Sequence, residues 1–239
     1  MRTPGTADAV AAELIKLRTL PAAVLAAVGT VLAGAVLGAA LAASAVARGV
    51  DVAATDAVLA GVPFVQAGML VLGALPFAHE YAGSQIRSTL TAVPDRSRVL
   101  LAKTVAALLV VTPTAALTMV AAWTAAAITL HRFDPAAGLG PVAGAAGYLV
   151  LIALLASGAA LLVRGLMPAL AGTLTLVLIV SPLLAAQSEH ARWLPDRAAQ
   201  RLYAAADGVL TPAGGTLVAL GWILLIGGFA AARFVRRDA

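Results

Sequence analysis

The chain has no cysteine, three histidines and two lysines among 239 residues. Without cysteine it can form neither a disulfide nor a thiolate metal site. The two lysines, Lys16 and Lys103, lack the glycine-rich approach of a phosphate-binding P-loop, which excludes ATP hydrolysis by that motif. His131 and His190 stand in separate polar links with no histidine or carboxylate four residues away, which argues against a metal site.

Charge is also scarce, since 11% of residues are charged and 62% are hydrophobic. A soluble domain carries about a quarter charged residues, and an apolar run of roughly 18 residues is long enough to cross a bilayer. The pattern predicts an all-α membrane protein, with residues 1–239 as a single transmembrane domain. Its six predicted spans are 21–46, 57–78, 104–130, 141–163, 166–186 and 212–232.

The basic residues flank the apolar runs, where they set membrane topology, so the net charge of +5 does not indicate a nucleic-acid partner. Eleven Lys and Arg residues fall on the side that holds both termini, and five fall on the other side. Cytoplasmic segments keep an excess of positive residues. We therefore expect a multi-pass protein of the inner (plasma) membrane with both termini in the cytoplasm.

The residues before the first span predict a helix lying along the inner leaflet. Its apolar residues fall on one face: Val10, Leu14 and Leu17. Glu13 and Lys16 are expected on another, polar face, followed by Arg18. The alternative is an extension that merely continues the first span.

Four polar residues lie in or between the apolar runs and are candidates for a functional role. Arg164 is expected in a tight turn between two spans, since a charge at mid-bilayer is costly, although a buried functional arginine is the alternative. Gln66 is expected to bond another helix, with substrate contact as the alternative. An intramembrane serine enzyme using Ser157 or Ser181 would need a histidine at similar depth, and none is present.

Between the second and third spans lies a polar segment, residues 79–103, which reads HEYAGSQIRSTLTAVPDRSRVLLAK. The spacing of its apolar residues predicts a short amphipathic helix: Ile86, Leu90 and Val93. Pro94 ends this helix, and Asp95, Arg96 and Arg98 are expected to form a charged turn before Lys103 opens the third span. The alternative is a solvated loop whose arginines only obey the topology rule.

This segment resembles the cytosolic coupling loop of permease subunits in the ABC type 2 exporter family. The resemblance rests on these residues: Glu80-Tyr81, Gly83, Ile86-Arg87, Thr89-Leu90, Pro94, Arg96, Arg98, Leu101 and Lys103. The sequence ELIKLRT at residues 13–19 is similar to the motif with which many bacterial members enter their first span. Six spans with both termini inside match the same family.

The resemblance implies a permease that works with a separate ABC ATPase, which binds the ATP and magnesium, so that this chain needs no cofactor of its own. The coupling helix would contact the ATPase through Glu80, Gly83, Ile86, Arg87, Leu90, Pro94, Arg96 and Arg98. A second permease copy would complete a homo- or heterodimer. Family members place re-entrant helices between the last two spans, and the 187–211 link is long enough for such a hairpin.

These expectations give a transporter subunit rather than an enzyme, which moves a hydrophobic or amphiphilic substrate outward. The runner-up is a non-transporting scaffold or sensor subunit that docks a cytosolic partner through the same polar segment. An intramembrane enzyme using Ser157 or Ser181 is a third hypothesis.

Overall fold

A computed structural model describes residues 5–81, 95–204 and 209–236, with the side chains of residues 80, 81, 137 and 236 left out. Within these ranges the chain is helical and has no β-strand, as predicted. Six helices in this part of the chain are long and apolar enough to cross a membrane. The predicted coupling helix, with Gly83, Ile86, Arg87, Leu90 and Pro94, lies outside the described residues.

We number the helices in chain order as α1 Thr6–Thr19, α2 Pro21–Ala47, α3 Ala54–Tyr81, α4 Arg96–Leu130, α5 Pro135–Val163, α6 Leu166–Gln187, α7 Pro195–Ala199 and α8 Pro212–Arg236. A π-helical turn, Leu176–Val180, lies within α6. Leu20 has an extended backbone between α1 and α2. The N-terminal residues therefore form a separate helix and do not simply continue the first span.

Helix α4 begins eight residues earlier than the predicted third span, at Arg96 in place of residue 104. Its 35 residues measure about 52 Å at 1.5 Å per residue, well beyond the roughly 30 Å of hydrocarbon. Our expectation of a charged turn at Arg96 and Arg98 was wrong, because both residues belong to the first turn of this helix. The cause is Asp95, whose side chain caps the helix by accepting hydrogen bonds from the backbone N–H groups of Ser97 and Arg98.

Helices α3 and α5 form the centre of the bundle. In each of them, 61% of the residues in an apolar stretch of 18 residues are buried, compared with 17% in α2 and in α8. The two backbones approach closely at Gly73, where a Cβ atom would lie 2.1 Å from the carbonyl oxygen of Ala153. Small residues permit such close packing in membrane helices.

Two glycine pairs in the sequence have the GxxxG spacing, Gly34 with Gly38 and Gly140 with Gly144, and they make different contacts. Gly38 of the first pair packs directly on α4, because a Cβ atom there would lie 2.3 Å from the carbonyl oxygen of Ala122. In the second pair, Gly140 has open space beside it, while a Cβ on Gly144 would lie 2.0 Å from the carbonyl oxygen of Leu202. The second pair therefore receives the link after α6 instead of another span.

Helices α5 and α6 are joined by a tight turn at Arg164. This residue is exposed and has a left-handed backbone, with φ of 55°. Its N–H donates to the carbonyl oxygen of Ala160 at 2.9 Å, closing the last turn of α5. The prediction of a turn is confirmed.

The link between α6 and α8 contains α7 and two short 3-10 segments, Glu189–Trp193 and Gln200–Leu202. It lies beside the helices rather than beyond their ends. Leu202 packs on Gly144, nine residues after α5 begins, and the indole N–H of Trp222, ten residues after α8 begins, donates to the carbonyl oxygen of Trp193 at 2.9 Å. At 1.5 Å per residue these contacts lie about 14 Å in from the helix starts. A true re-entrant hairpin stays a prediction.

Candidate functional site

The helix ends around the polar segment 79–103 form the candidate site. Arg96 and Arg98 lie on the first turn of α4, and Glu80 lies in the last turn of α3, where only the backbone is described. The N-terminal helix α1 packs against α4 at the same end. The structure thus brings together the N-terminal motif and the start of the third span.

Glu13 is buried at the centre of this site, with 6% of its surface exposed. One carboxylate oxygen accepts a hydrogen bond from Lys103 Nζ at 2.7 Å, and the other accepts one from Lys16 Nζ at 2.6 Å. Lys103 is also buried and donates a further hydrogen bond, at 3.2 Å, to the carbonyl oxygen of Pro76. A single ammonium group therefore joins α1, α3 and α4.

The charges within this cluster keep Glu13 ionised. Burial acts to raise the pKa of Glu13, but the charge and hydrogen bond of Lys103, with those of Lys16, outweigh it and hold the pKa below its ordinary value. A buried charge is tolerated only when it is paired and hydrogen-bonded. Both oxygens of Glu13 meet this condition.

The expected polar face of α1 was wrong at Glu13. The buried face consists of Ala9, Glu13 and Leu17, while Ile15 is 62% exposed. The sequence analysis placed Glu13 on the polar face because Lys103, its buried partner, lies 90 residues away in the sequence. The available signal was the spacing of Glu13 between Ala9 and Leu17, at i−4 and i+4, together with a lysine opening a distant apolar run.

The remaining basic residues of the site differ in their contacts. Arg96 Nη1 donates to the carbonyl oxygen of Phe234 at 3.0 Å, and its guanidinium lies 5.9 Å from the centre of the Phe234 ring. Arg98 Nε lies 3.8 Å from Asp95 Oδ2. Arg18 is exposed on α1. Arg96 thus ties the start of α4 to the end of α8, and Arg18 faces outward from the cluster.

Polar residues deeper in the bundle bond between helices. The phenol of Tyr148, on α5, donates to Gln66 Oε1, and the Gln66 amide donates to the carbonyl oxygen of Pro63 at 2.9 Å. The expectation of interhelical bonding by Gln66 is confirmed. Ser157 Oγ donates to the carbonyl oxygen of Gly73 at 2.7 Å. Its hydroxyl therefore ties α5 to α3.

A second buried carboxylate lies at the opposite end of the bundle. Asp196, on α7, is fully buried and accepts a hydrogen bond from Ser181 Oγ at 2.7 Å. Arg197 Nε lies 3.3 Å from the same hydroxyl oxygen. Ser181 therefore holds the link against α6. The sequence analysis missed this pair, because a separation of 15 positions between Ser181 and Asp196 gives no periodic signal.

Comparison of the chain with protein-family models and with curated proteins gives no match.

Proposed function

We propose that this chain is the membrane-spanning permease subunit of an ATP-binding-cassette exporter, driven by a separate ATPase. The observation that carries the proposal is the cluster around Lys103. It joins the end of α3 and the start of α4, the two helices that the polar segment connects, to the N-terminal helix. A partner that pushes on the segment between these helices would move both spans together.

Charge supports an inward-facing position for the same end. The side with both termini has eleven basic and five acidic residues, and the opposite side has five basic and six acidic. The net charges are therefore +6 and −1. From the positive-inside rule we expect the more basic end in the cytoplasm, where an ATPase and its ATP are found.

Substrate character is suggested by a cleft between α4, α5 and α8. Its volume is about 280 Å³, and apolar side chains line most of it, among them Leu100, Leu154, Ile223 and Leu224. The Ser157 hydroxyl at its wall is bonded to a backbone carbonyl. Such a surface fits a hydrophobic or amphiphilic substrate.

Co-purification tests the proposed partnership. The chain is extracted from its native membrane in mild detergent, and any bound ATPase is identified and assayed with and without candidate amphiphiles.

Charge reversal by Arg87→Glu in the polar segment should uncouple ATP hydrolysis from transport. The matched control is Arg48→Glu, an exposed arginine at the opposite end. Unchanged coupled turnover in Arg87→Glu would count against the proposal, and an ATPase without substrate stimulation would favour the scaffold alternative.

Orientation can be measured directly because the chain has no cysteine. Single substitutions Ser97→Cys and His190→Cys place a thiol at two exposed positions, one at each end of the bundle. In intact cells a membrane-impermeant maleimide should label His190→Cys and leave Ser97→Cys unlabelled. The reverse result would remove the polar segment from the cytoplasm and with it the proposed coupling.

A further inference from the structure

A cavity of about 470 Å³ lies at the end of the bundle opposite the polar segment. It is formed by the last turn of α6, the short helices of the link, and Val209, which lies three residues before α8. Its polar lining residues all come from the link after α6: Ser188, Glu189, Arg192, Arg197, Gln200 and Arg201. Three guanidinium groups thus surround one opening.

Arg192 is held in position by its neighbour in the preceding turn. Its Nε donates to the carbonyl oxygen of Glu189 at 2.6 Å, and its Nη2 bonds the Glu189 carboxylate. The side chain is 18% exposed. These bonds hold two of the three guanidinium nitrogens, Nε and Nη2. Because the guanidinium group is planar, they also fix the position of Nη1.

Arg197 is held from the other side of the cavity. Its Nε lies 3.3 Å from Ser181 Oγ, and its Nη1 donates to Gln200 Oε1 at 3.3 Å. Its side chain is 26% exposed, and the buried Asp196 lies behind it, with Oδ2 at 3.8 Å from Nε. The Arg197 fork is therefore positioned before any ligand arrives, which lowers the entropy cost of binding.

The described residues at the cavity include three arginines and two carboxylates, Glu189 in the lining and Asp196 behind Arg197, so positive charges outnumber negative ones by one. Planar guanidinium groups bind phosphate oxygens in pairs of parallel hydrogen bonds. Next to Arg192, the backbone carbonyl oxygen of Trp193 accepts a hydrogen bond from the indole N–H of Trp222, which ties this part of the link to α8.

We propose that this cavity binds a phosphate group through Arg192 and Arg197. The phosphate can come from an anionic lipid headgroup or from a soluble phosphorylated molecule. The proposal does not depend on the ABC assignment, since it rests on a different end of the molecule.

The test measures thermal unfolding of the full chain in a phosphate-free maltoside detergent. The probes are phosphatidylglycerol, phosphatidylcholine, glycerol 3-phosphate and inorganic phosphate, with chloride at matched ionic strength as the reference. Stabilisation by phosphatidylglycerol alone would identify a lipid site, and stabilisation by glycerol 3-phosphate or inorganic phosphate would identify a soluble ligand. No stabilisation beyond chloride by any probe would overturn the proposal.

Arg192→Gln and Arg197→Gln should each weaken binding of the active probe about tenfold or more, the usual effect of losing a hydrogen bond to a charged group. Arg192→Gln is the safer variant, because both hydrogen bonds of the Arg192 side chain go to Glu189, three residues away. Arg192→Lys keeps the charge but loses the fork, and should recover only part of the affinity. Arg48→Gln, an exposed arginine at the same end, is the control. Equal affinity in all four variants would also overturn the proposal.

Discussion

The two ends of this bundle each bury a carboxylate, but the two carboxylates have different partners to offset the cost of burial. Glu13, at the basic end, has a lysine ammonium within 2.7 Å of each oxygen. Asp196, at the other end, accepts one hydrogen bond from Ser181, while its Oδ2 accepts none from the residues that the structure describes. Arg197 Nε is 3.8 Å from that oxygen.

The pKa values of the two groups move in opposite directions as a result. At Asp196 burial raises the pKa, and the Ser181 hydrogen bond and the Arg197 charge do not cancel the rise. At Glu13 burial acts in the same sense, but the two lysines reverse it. Burial alone therefore does not set the direction in which the pKa of a carboxylate shifts, because the distance to its cations also counts.

The largest expected effect is the loss of the Glu13 carboxylate. Glu13→Gln leaves the buried Lys103 ammonium without its counter-ion, which should cost about 3–5 kcal/mol in the free energy of unfolding. Denaturant unfolding of the purified chain in detergent measures this cost.

Lys16→Gln is the matched control, because the Lys16 side chain is 48% exposed. Loss of an exposed pair should cost about 0–1 kcal/mol. The double variant Glu13→Leu with Lys103→Met removes both buried charges and should regain much of the lost stability. A Glu13→Gln cost no greater than that of Lys16→Gln would show that the pair does not hold α1 in place.

A smaller effect is expected where the link packs on α5 at the other end. Gly144→Ala places a methyl group 2.0 Å from the carbonyl oxygen of Leu202, so the link must shift, at about 1–3 kcal/mol. Gly140→Ala, one turn earlier on the same helix, meets open space and should be neutral or slightly stabilising. Thermal unfolding of the two variants gives the comparison. Similar midpoints would mean that the link does not press on Gly144.

Midway between the two ends, Tyr148→Phe removes the hydrogen bond to Gln66. Bonds of this kind between membrane helices contribute about 0.6 kcal/mol on average. A double-mutant cycle with Gln66→Leu isolates the coupling energy from other effects of each change. If the effects of the two substitutions are additive, the hydrogen bond contributes no net free energy to stability.

The smallest effect is a difference in pH dependence. Glu13 has a lowered pKa, so its contribution to stability is present above the unfolded value of 4.5 and is lost as pH falls through the folded value. Asp196 has a raised pKa, so its ionisation reduces stability as pH rises from 3.8 through the folded value. Unfolding midpoints of wild type, Glu13→Gln and Asp196→Asn across this range measure both slopes. Slopes of the same sign would contradict the comparison.

Much of the fold could be predicted because hydrocarbon imposes one simple requirement on a spanning segment. The spans at 21–46 and 166–186 match α2 and α6 to within a residue at each end. The helix that contains the third predicted span is longer than that span, since hydropathy ends at Lys103 while the Asp95 cap starts the helix at Arg96. The turn at Arg164 followed from the cost of burying a charge.

The candidate site was predicted only in part. The sequence pointed to both the N-terminal motif and the polar segment, but it gave no reason to join Glu13 to Lys103, which lie 90 residues apart. Pairing across that distance depends on how α1 folds back on α4, and no local period records it. The coupling-helix residues Gly83, Ile86, Arg87, Leu90 and Pro94 stay predictions.

The sequence by itself determined that this chain is a membrane protein with six helices, because apolar runs of span length are unstable in water. In lipid such runs must satisfy their own backbone hydrogen bonds, which a helix does. It also fixed the unequal charge of the two ends. Only the tertiary structure decided which polar side chains are buried and what they meet. Burial of Glu13, Lys103 and Asp196 depends on partners brought from distant parts of the chain, since a buried charge is stable only where such partners converge.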